Sequence, residues 1–335
     1  MSENSKEKAK DSKGEQPQKQ NSLWVEKYRP KSFKEIIGQA DSVAKLGAMV
    51  SSGEVQHMIL SGPPGVGKTT SAVVLARLVF GENWNQNFIE LNASDDRKLS
   101  VIQGKVKEFA RTRPIDAPFK IILFDEGDSL TQEAQQALRR MMEEYSSTCR
   151  FVFSVNYQNN LIEPLQSRCV ILRFQPLVQK DIEEYIGRIA KEEGLEIDKN
   201  AMEALFYVSK GDLRLVTNLL QSLSNVSKKI DASTVYTNSG VLDTGKILEG
   251  IKTALSGDYT KSREIFAQLL DAGVNTRELL LQIFGIINSN DNLVDEKAKA
   301  YIIEKLAEVD YRLVEGSTPF IQFQAFLAFL ATFGK

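Results

Sequence analysis

The sequence predicts an α/β fold followed by an all-helical part: a parallel sheet with helices on both faces, a small helical lid and a C-terminal helical domain. Short apolar runs alternate with amphipathic helical patterns such as 97–111 and 131–145, as is typical of parallel strands joined by helices. After Pro176 we expect helices only, at 179–193, 198–208 and 212–226. The apolar runs that predict the strands are 58–60, 88–91, 121–124, 151–155 and 170–174.

The chain divides into four predicted segments. Residues 1–21 contain almost no apolar side chains, so they cannot bury enough surface to fold, and we expect a disordered tail. We assign 22–175 to the α/β domain, 176–240 to the lid and 241–335 to the C-terminal helical domain. That last segment carries phenylalanines on more than one helix face, so we expect part of them to be buried against neighbouring subunits: Phe320, Phe323, Phe326, Phe329 and Phe333.

Length and composition exclude several classes of protein. A chain of 335 residues with 42% hydrophobic and 26% charged residues is an ordinary globular protein of two or three domains. No apolar stretch is long enough to cross a bilayer and no signal-peptide pattern opens the chain, so we expect an intracellular protein without a membrane partner. Cys149, Cys169 and the single His57 give neither a disulfide framework nor a zinc site. The net charge is −2, so nucleic-acid binding would need a local basic patch.

A complete phosphate-binding loop follows the first apolar run and precedes a helical pattern that begins at Thr70. Its glycines allow backbone angles that turn successive N–H groups towards an anion, and the following helix adds its positive dipole end. We therefore predict a nucleoside triphosphate as the ligand, with Lys68 on the β and γ phosphates and the Thr69 hydroxyl on Mg²⁺. The residues of this loop are Gly62, Pro63, Pro64, Gly65, Val66, Gly67, Lys68 and Thr69.

Two adjacent carboxylates follow the apolar run 121–124, which has the pattern of a strand buried on both faces. Ligands of parallel sheets bind at the carboxyl ends of strands, so Asp125 is predicted to hold Mg²⁺ together with Thr69. Glu126 is predicted to orient and polarise the attacking water. Taken alone, such a pair is also compatible with a solvated turn.

A local basic region occupies residues 97–113, where six Lys and Arg side chains face one Glu and leave a surplus of five positive charges. On a helix, Ile102, Val106 and Phe109 would form the buried stripe, and Gln103, Lys107 and Arg111 an exposed row that can follow DNA phosphates. A solvated basic helix is the alternative. No base-reading motif is present, so recognition would be of backbone and shape. The candidate DNA-binding residues are Arg97, Lys105, Lys107 and Arg111.

Seven motifs together resemble the small subunit of replication factor C, the sliding-clamp loader of archaea and eukaryotes and an AAA+ ATPase. They are WVEKYRP at 24–30, GPPGVGKT at 62–69, NASDDR at 92–97, FDEGD at 124–128, ALRR at 137–140, SRC at 167–169 and GDLR at 211–214. The resemblance implies a hetero-oligomeric ring held together by its C-terminal collar domain. Such a ring hydrolyses ATP to open the clamp PCNA and load it onto primer-template DNA for the replicative polymerase. The implied partners are a large subunit and small-subunit copies or paralogues, in the cytoplasm of an archaeon or the nucleus of a eukaryote.

The resemblance also implies roles for single residues. Arg168 corresponds to the arginine finger that acts in trans on the nucleotide of the adjacent subunit. Asn156 corresponds to the polar sensor between phosphate and water, and Arg214 to the lid sensor of the γ phosphate. The segment that wraps the nucleotide base corresponds to Val25, Tyr28, Arg29, Pro30, Ile37 and Gly38.

The sequence departs from the family pattern at Gly127, where Ala is usual, at Lys98-Leu99, where Gly-Ile is usual, and at Met141, where Thr is common. These departures suggest a diverged paralogue. Two other functions stay open: a different AAA+ machine, such as a helicase loader or branch-migration motor, and a structural subunit that does not hydrolyse ATP. A C-terminal helix-turn-helix would favour the first, and loss of Lys68, Glu126 or Arg168 the second.

Overall fold

The computed structural model describes residues 23–95, 99–241, 244–271, 275–290 and 292–334, so the predicted tail at 1–21 lies outside the described residues. A π-helical segment, Ile102–Val106, lies directly before the short helix that begins at Lys107. In chain order the α/β part contains α1 (Trp24–Lys27), α2 (Ala40–Ser52), β1 (Met58–Ser61), α3 (Lys68–Phe80), α4 (Trp84–Asn87), β2 (Phe88–Asn92), α5 (Leu99–Val101), α6 (Lys107–Arg111), β3 (Lys120–Asp125), α7 (Gln132–Glu144), β4 (Cys149–Val155), α8 (Glu163–Gln166) and β5 (Val170–Arg173).

Strands β1 to β5 form one parallel sheet in the order β2-β3-β4-β1-β5, with helices on both faces, which confirms the predicted fold class. Successive side chains of a strand point to opposite faces. Met58 and Leu60 therefore join the core on one face, while Ile59 joins the core on the other. Burial on both faces explains why β3 is apolar without a break from Ile121 to Phe124.

The carboxyl ends of β1, β3 and β4 meet at one edge of the sheet. Ser61, the last residue of β1, is opposite Val155, the last of β4, and the phosphate loop and Asn156 follow directly. Asp125 ends β3 and is opposite Asn92, which ends β2. This edge is where parallel sheets bind ligands.

The predicted basic helix is present over its described part, but its buried stripe differs from the prediction. Ile102 and Val106 are buried as expected, whereas the third buried position is Ala110 and Phe109 is only partly buried. The π segment has more residues per turn, so it delays the buried face by one residue. The side chains of Gln103, Lys105, Lys107 and Arg111 are exposed, and Arg97 lies outside the described residues.

The lid comprises α9 (Gln179–Glu193), β6 (Glu196–Ile197), α10 (Lys199–Ser209), α11 (Leu213–Val226), β7 (Lys229–Ile230) and α12 (Ala232–Ser239). The expectation of helices only after Pro176 was wrong, because β6 and β7 pair in parallel. Two-residue strands are too short to leave an apolar run. Lid residues such as Ile186 and Leu220 belong to the same core as Met58 and Leu60, so the lid packs continuously with one side of the sheet.

The C-terminal helices are α13 (Thr244–Leu255), α14 (Tyr259–Asp271), α15 (Thr276–Ser289), α16 (Glu296–Val314) and α17 (Pro319–Ala331). They bury a core of their own, in which α17 packs against all four other helices. Phe323 and Phe326 are fully buried there, and Phe329 and Phe333 are partly buried. We expected part of this set to be exposed, and of the five phenylalanines only Phe320, at 56%, is exposed. Among the described residues, no helix is both long and apolar enough to cross a membrane.

Candidate nucleotide site

A cavity of about 280 Å³ lies at the carboxyl edge of the sheet, between the phosphate loop, the N-terminal segment and the lid. Most of the residues predicted to bind nucleotide or Mg²⁺ line it. Arg168, Gly38, Gly62 and Pro63 do not. The predicted residues that line the cavity are Val25, Tyr28, Arg29, Pro30, Ile37, Pro64, Gly65, Val66, Gly67, Lys68, Thr69, Thr70, Asp125, Glu126, Asn156 and Arg214.

The phosphate loop has the backbone angles that its glycines permit. Gly65 and Gly67 have φ values of +70° and +96°, in the left-handed region that disfavours other residues. Helix α3 begins at Lys68, directly after Gly67, so its unpaired N–H groups face the cavity. The loop and the helix terminus together form an anion-binding site.

Lys68 is held in place by its own loop and by the end of β4. Its Nζ donates to the carbonyl oxygens of Gly62 and Pro63, both at 2.7 Å, and to Asn156 Oδ1 at 3.1 Å. Gly62 and Pro63 therefore act through Lys68 rather than as cavity walls. Burial lowers the pKa of Lys68 to about 8, while Asp125 and Asp128 oppose this shift.

Thr69 and Asp125 lie together at the floor of the cavity. The Thr69 hydroxyl donates to Asp125 Oδ1 at 2.7 Å and lies 3.4 Å from Ser154 Oγ. A hydroxyl and a carboxylate are hard oxygen ligands of the type that Mg²⁺ prefers, and Mg²⁺ usually takes one or two such protein ligands beside substrate phosphates. The pair fits the predicted Mg²⁺ site.

Glu126 directly follows β3 and has a φ of +54°, which is uncommon for a residue with a side chain. Its Oε2 lies 2.5 Å from Ser94 Oγ, and Ser94 Oγ also lies 2.9 Å from Asn92 Oδ1. The polar residues after β2 therefore orient the carboxylate that was predicted to polarise water. Sequence reasoning gave Ser94 no role, although the motif that contains it was noted.

Gly127, where the resemblance led us to expect Ala, is buried directly after Glu126. A Cβ at this position would lie 3.3 Å from Val155 Cγ1, closer than an ordinary contact. The glycine therefore avoids crowding against β4 and leaves the neighbouring Glu126 in place.

The N-terminal segment closes one side of the cavity and is tied to the lid. Tyr28 is buried, and its hydroxyl donates to Glu193 Oε1 of α9 at 2.6 Å; Lys27 Nζ donates to the same oxygen at 2.6 Å. Burial and the Glu193 carboxylate raise the pKa of Tyr28 to about 12. Gly38 was predicted to line the site, but it packs against the lid: a Cβ there would lie 2.3 Å from Leu177 Cδ2.

The lid contributes cavity residues that sequence reasoning missed. Tyr185 and Thr217, joined by a 2.8 Å hydrogen bond between their hydroxyl groups, are both buried at its wall. They follow the buried stripes of α9 and α11, so their pattern indicates core packing and gives no functional signal. The other cavity residues that were missed are Glu26, Glu35, Ile36, Glu90, Ser154 and Leu213.

Arg214 reaches the cavity because the start of α11 docks on the phosphate loop. Asp212 Oδ1 accepts hydrogen bonds from the N–H groups of Arg214 at 2.8 Å and Leu215 at 3.2 Å, which caps the helix. The Leu213 N–H donates to the Gly65 carbonyl at 3.2 Å. A Cβ on Gly65 would lie 2.0 Å from Asp212 Oδ1, so only glycine permits this contact.

Arg168 lies outside this cavity, on the surface between α8 and β5. Its guanidinium forms an ion pair with Glu143 at the end of α7, with a shortest N···O distance of 2.5 Å. The structure therefore separates Arg168 from the other predicted hydrolysis residues.

A parallel sheet with this phosphate loop, acidic strand end and lid defines an ATPase of the AAA class. Residues 58–177 match the family model described as "ATPase family associated with various cellular activities", and residues 243–329 match the replication factor C C-terminal domain. The chain is 44% identical to the replication factor C small subunit of Archaeoglobus fulgidus, over 93% of this chain and 98% of that one. A second relative from Methanococcus maripaludis strain C7 is also 44% identical, over 91% and 97%. The chain belongs to the replication factor C small-subunit family.

A solved structure supports the fold. The RuvB Holliday junction branch-migration motor of Thermotoga maritima matches with a TM-score of 0.53 and 24% identity, over 68% of this chain and 78% of that one. At this identity the likeness concerns the fold alone.

Proposed function

We propose that this chain is an ATP-hydrolysing small subunit of a clamp loader, which works in a multi-subunit ring to open PCNA and load it onto primer-template DNA. The observation that carries the proposal is the incomplete site. The cavity contains the predicted nucleotide, metal and water-activating groups, whereas the predicted finger, Arg168, lies elsewhere on the surface. A site of this kind is completed by a neighbouring subunit. The relatives named above are archaeal, which favours the cytoplasm as its location.

Each part of the cavity has a role in hydrolysis. The phosphate loop and Lys68 hold the triphosphate, and Thr69 with Asp125 would hold Mg²⁺, which neutralises phosphate charge when bound. Glu126, oriented by Ser94, accepts a hydrogen bond from the attacking water and polarises it. Asn156, which accepts a hydrogen bond from Lys68 Nζ, is assigned the role of polar sensor between phosphate and water.

The lid provides the coupling between nucleotide and ring geometry. It is fixed to the phosphate loop through Leu213 and to the base-binding segment through Glu193. A triphosphate that binds both the loop and Arg214 therefore has different contacts in different lid positions, which is what shifts a conformational equilibrium. We infer that ATP binding sets the lid, and through it the arrangement of neighbouring subunits.

The alternative functions lack support in the described residues. A structural subunit is disfavoured because Lys68 and Glu126 are present in bonded arrangements and Arg168 is retained at the surface. A branch-migration motor or helicase loader is disfavoured because residues 243–329 match the replication factor C C-terminal domain.

In the described part of the C-terminal domain we select two groups of exposed apolar side chains as candidates for subunit contacts. One lies on α15 and contains Leu281 and Phe284. The other lies around the end of α16 and the start of α17 and contains Tyr311, Val314, Phe320 and Ile321. A ring requires two different complementary surfaces on each subunit, and we assign one patch to each neighbour.

The experiment that tests this function is a loading assay with the purified assembly, labelled PCNA and primer-template DNA whose ends are blocked. We expect ATP-dependent retention of the clamp on DNA after the loader is washed away with salt, because a closed ring stays topologically linked. An assembly with Glu126→Gln should bind ATP and fail to release closed clamps. ATPase activity that is indifferent to both clamp and DNA, with no clamp retained, would refute the proposal.

The exposed basic row makes a separate prediction for DNA. Replacing Lys107 and Arg111 together by Ala should flatten the dependence of log affinity on log salt by about 0.9 per lost phosphate contact. DNA-stimulated hydrolysis should fall towards the basal rate, while ATP binding survives because neither side chain lines the cavity. Primer-template titrations at several salt concentrations, with ATPase rates in parallel, measure both effects.

A matched control removes the same charge elsewhere. Lys191 and Lys199 are exposed in the lid region, and their double replacement by Ala should leave the salt slope unchanged. Equal behaviour of the two double variants would show that the basic row is a solvated face.

A further inference from the structure

Glu143, near the end of α7, accepts two hydrogen bonds from the Arg168 guanidinium. Its Oε1 accepts hydrogen bonds from Arg168 Nε at 3.0 Å and from Nη2 at 2.5 Å. On the other side, Arg168 Nη1 donates to the Pro164 carbonyl at 2.8 Å and lies 3.5 Å from Ser167 Oγ. All three guanidinium nitrogens therefore donate hydrogen bonds within this subunit.

The anchored guanidinium still presents donors outward. Arginine has five N–H groups in a fixed plane, two of them on Nη2. The Glu143 carboxylate takes one of the Nη2 hydrogens, and the second has no acceptor within the part of the chain that the structure describes. The Arg168 side chain is 35% exposed, so part of it remains accessible to a partner.

The two residues stand on elements that are fixed to each other. Gln135 of α7 is buried, and its side-chain amide donates to the Asn160 carbonyl at 3.1 Å and accepts from the Ile162 N–H at 2.8 Å. These bonds tie α7 to the segment that leads into α8 and Arg168. Glu143 and Arg168 therefore belong to segments that are hydrogen-bonded to each other, and Glu143 lies on a helix rather than a loop.

We infer that Glu143 is a positioning residue, which braces Arg168 in the orientation from which it reaches the nucleotide of the adjacent subunit. The inference rests on the proposed trans role of Arg168 and adds the residue that prepares it. An unrestrained arginine loses substantial rotamer freedom when it binds a phosphate oxygen. A guanidinium held beforehand loses less, so the gain appears at the transition state, where the finger acts.

The expected size of the effect follows from exposure. The Glu143 side chain is 50% exposed, and ion pairs this open to water have modest strength. We expect Glu143→Gln to lower kcat of the assembled ring about two- to fivefold with KM unchanged. Glu143→Asp keeps the charge on a shorter side chain and should restore part of the loss. Glu144→Gln, which neutralises the next carboxylate along α7, is the matched control and should behave as wild type.

A double-variant cycle separates positioning of Arg168 from any other role. Steady-state ATPase of the full assembly is measured for Glu143→Gln in the wild-type and Arg168→Ala backgrounds, with native mass measurement to verify that rings form. The inference requires that Glu143→Gln has no further effect once Arg168 is gone. An equal loss in both backgrounds, or a rise in turnover on neutralising Glu143, would overturn it.

The result also distinguishes this inference from the proposed function. If Arg168→Ala lowers turnover strongly and Glu143→Gln leaves it at the wild-type value, the finger role of Arg168 stands and the positioning role of Glu143 is refuted. If Arg168→Ala itself leaves turnover unchanged, the finger role of Arg168 is refuted, and the positioning role of Glu143 is refuted with it.

Discussion

Assemblies in which every subunit carries Arg168→Ala are expected to bind ATP almost normally and to lose about 10³-fold or more of their turnover. The reason is the position of the side chain: it does not line the cavity of its own subunit, so it contributes nothing to binding there. In the proposed trans role, its charge acts across the interface, on the phosphoryl group in the transition state. Equilibrium binding of a fluorescent ATP analogue and steady-state ATPase rates measure the two halves of the prediction. Arg173→Ala, at the exposed end of β5, is the control.

Mixed assemblies test whether the finger acts in trans. A Glu126→Gln subunit keeps Arg168 but cannot polarise water in its own site, whereas an Arg168→Ala subunit keeps Glu126 but offers no finger to its neighbour. Where the first stands beside the second in the correct order, one complete site forms. We therefore expect mixtures to recover part of the activity that each variant alone lacks. Rings of Arg168→Ala alone that hydrolyse ATP at the wild-type rate would contradict the role.

The sheet and the phosphate site were predictable because their physical causes are local in sequence. Strands buried on both faces are mostly apolar, so the run 121–124 predicted β3 (Lys120–Asp125) to within one residue at each end. The phosphate loop needs glycines at fixed spacing, and Gly65 and Gly67 have the positive φ values that justify them. The prediction that Asp125 and Glu126 lie at the site follows from the rule that ligands bind at the carboxyl ends of strands.

The remaining features depend on packing between distant parts of the chain. Glu193 bonds Tyr28 across 165 residues, and Glu143 bonds Arg168 across 25, so no local pattern pairs them. Tyr185 is on the buried stripe of its helix, and periodicity alone cannot separate a cavity wall from core. The π segment before α6 likewise shifts the buried face by one residue without a signal in composition.

The phenylalanines near the C-terminus also depend on packing between distant segments, and here the sequence pattern overestimated their exposure. More than one helix face of α17 is apolar, which suggested an exposed surface, but the other four helices of the domain cover it from several sides. Phe323 and Phe326 are fully buried as a result. Within the described residues, exposed apolar side chains lie instead on α15 and around the turn between α16 and α17.

Lys68→Ala is expected to weaken ATP binding at least about tenfold, because it removes a charge-assisted contact worth roughly 1.5–3 kcal/mol. The structure adds a dependence on pH. Burial places the pKa of Lys68 at about 8 without nucleotide, and a bound triphosphate raises it by stabilising the charged form. Above about pH 8 ATP binding must therefore take up a proton, and wild-type affinity should fall as pH rises from there towards the pKa of the complex.

Calorimetry at about pH 8.5 in two buffers with different ionisation enthalpies measures this proton uptake directly. Lys68→Arg is the matched variant, since a guanidinium stays charged throughout this range. It should bind ATP more tightly than Lys68→Ala and show less proton uptake than wild type, because no deprotonated form is present to be charged by the ligand. Proton uptake equal in wild type and Lys68→Arg would show that another group titrates, and an unchanged dissociation constant for Lys68→Ala would remove Lys68 from the site.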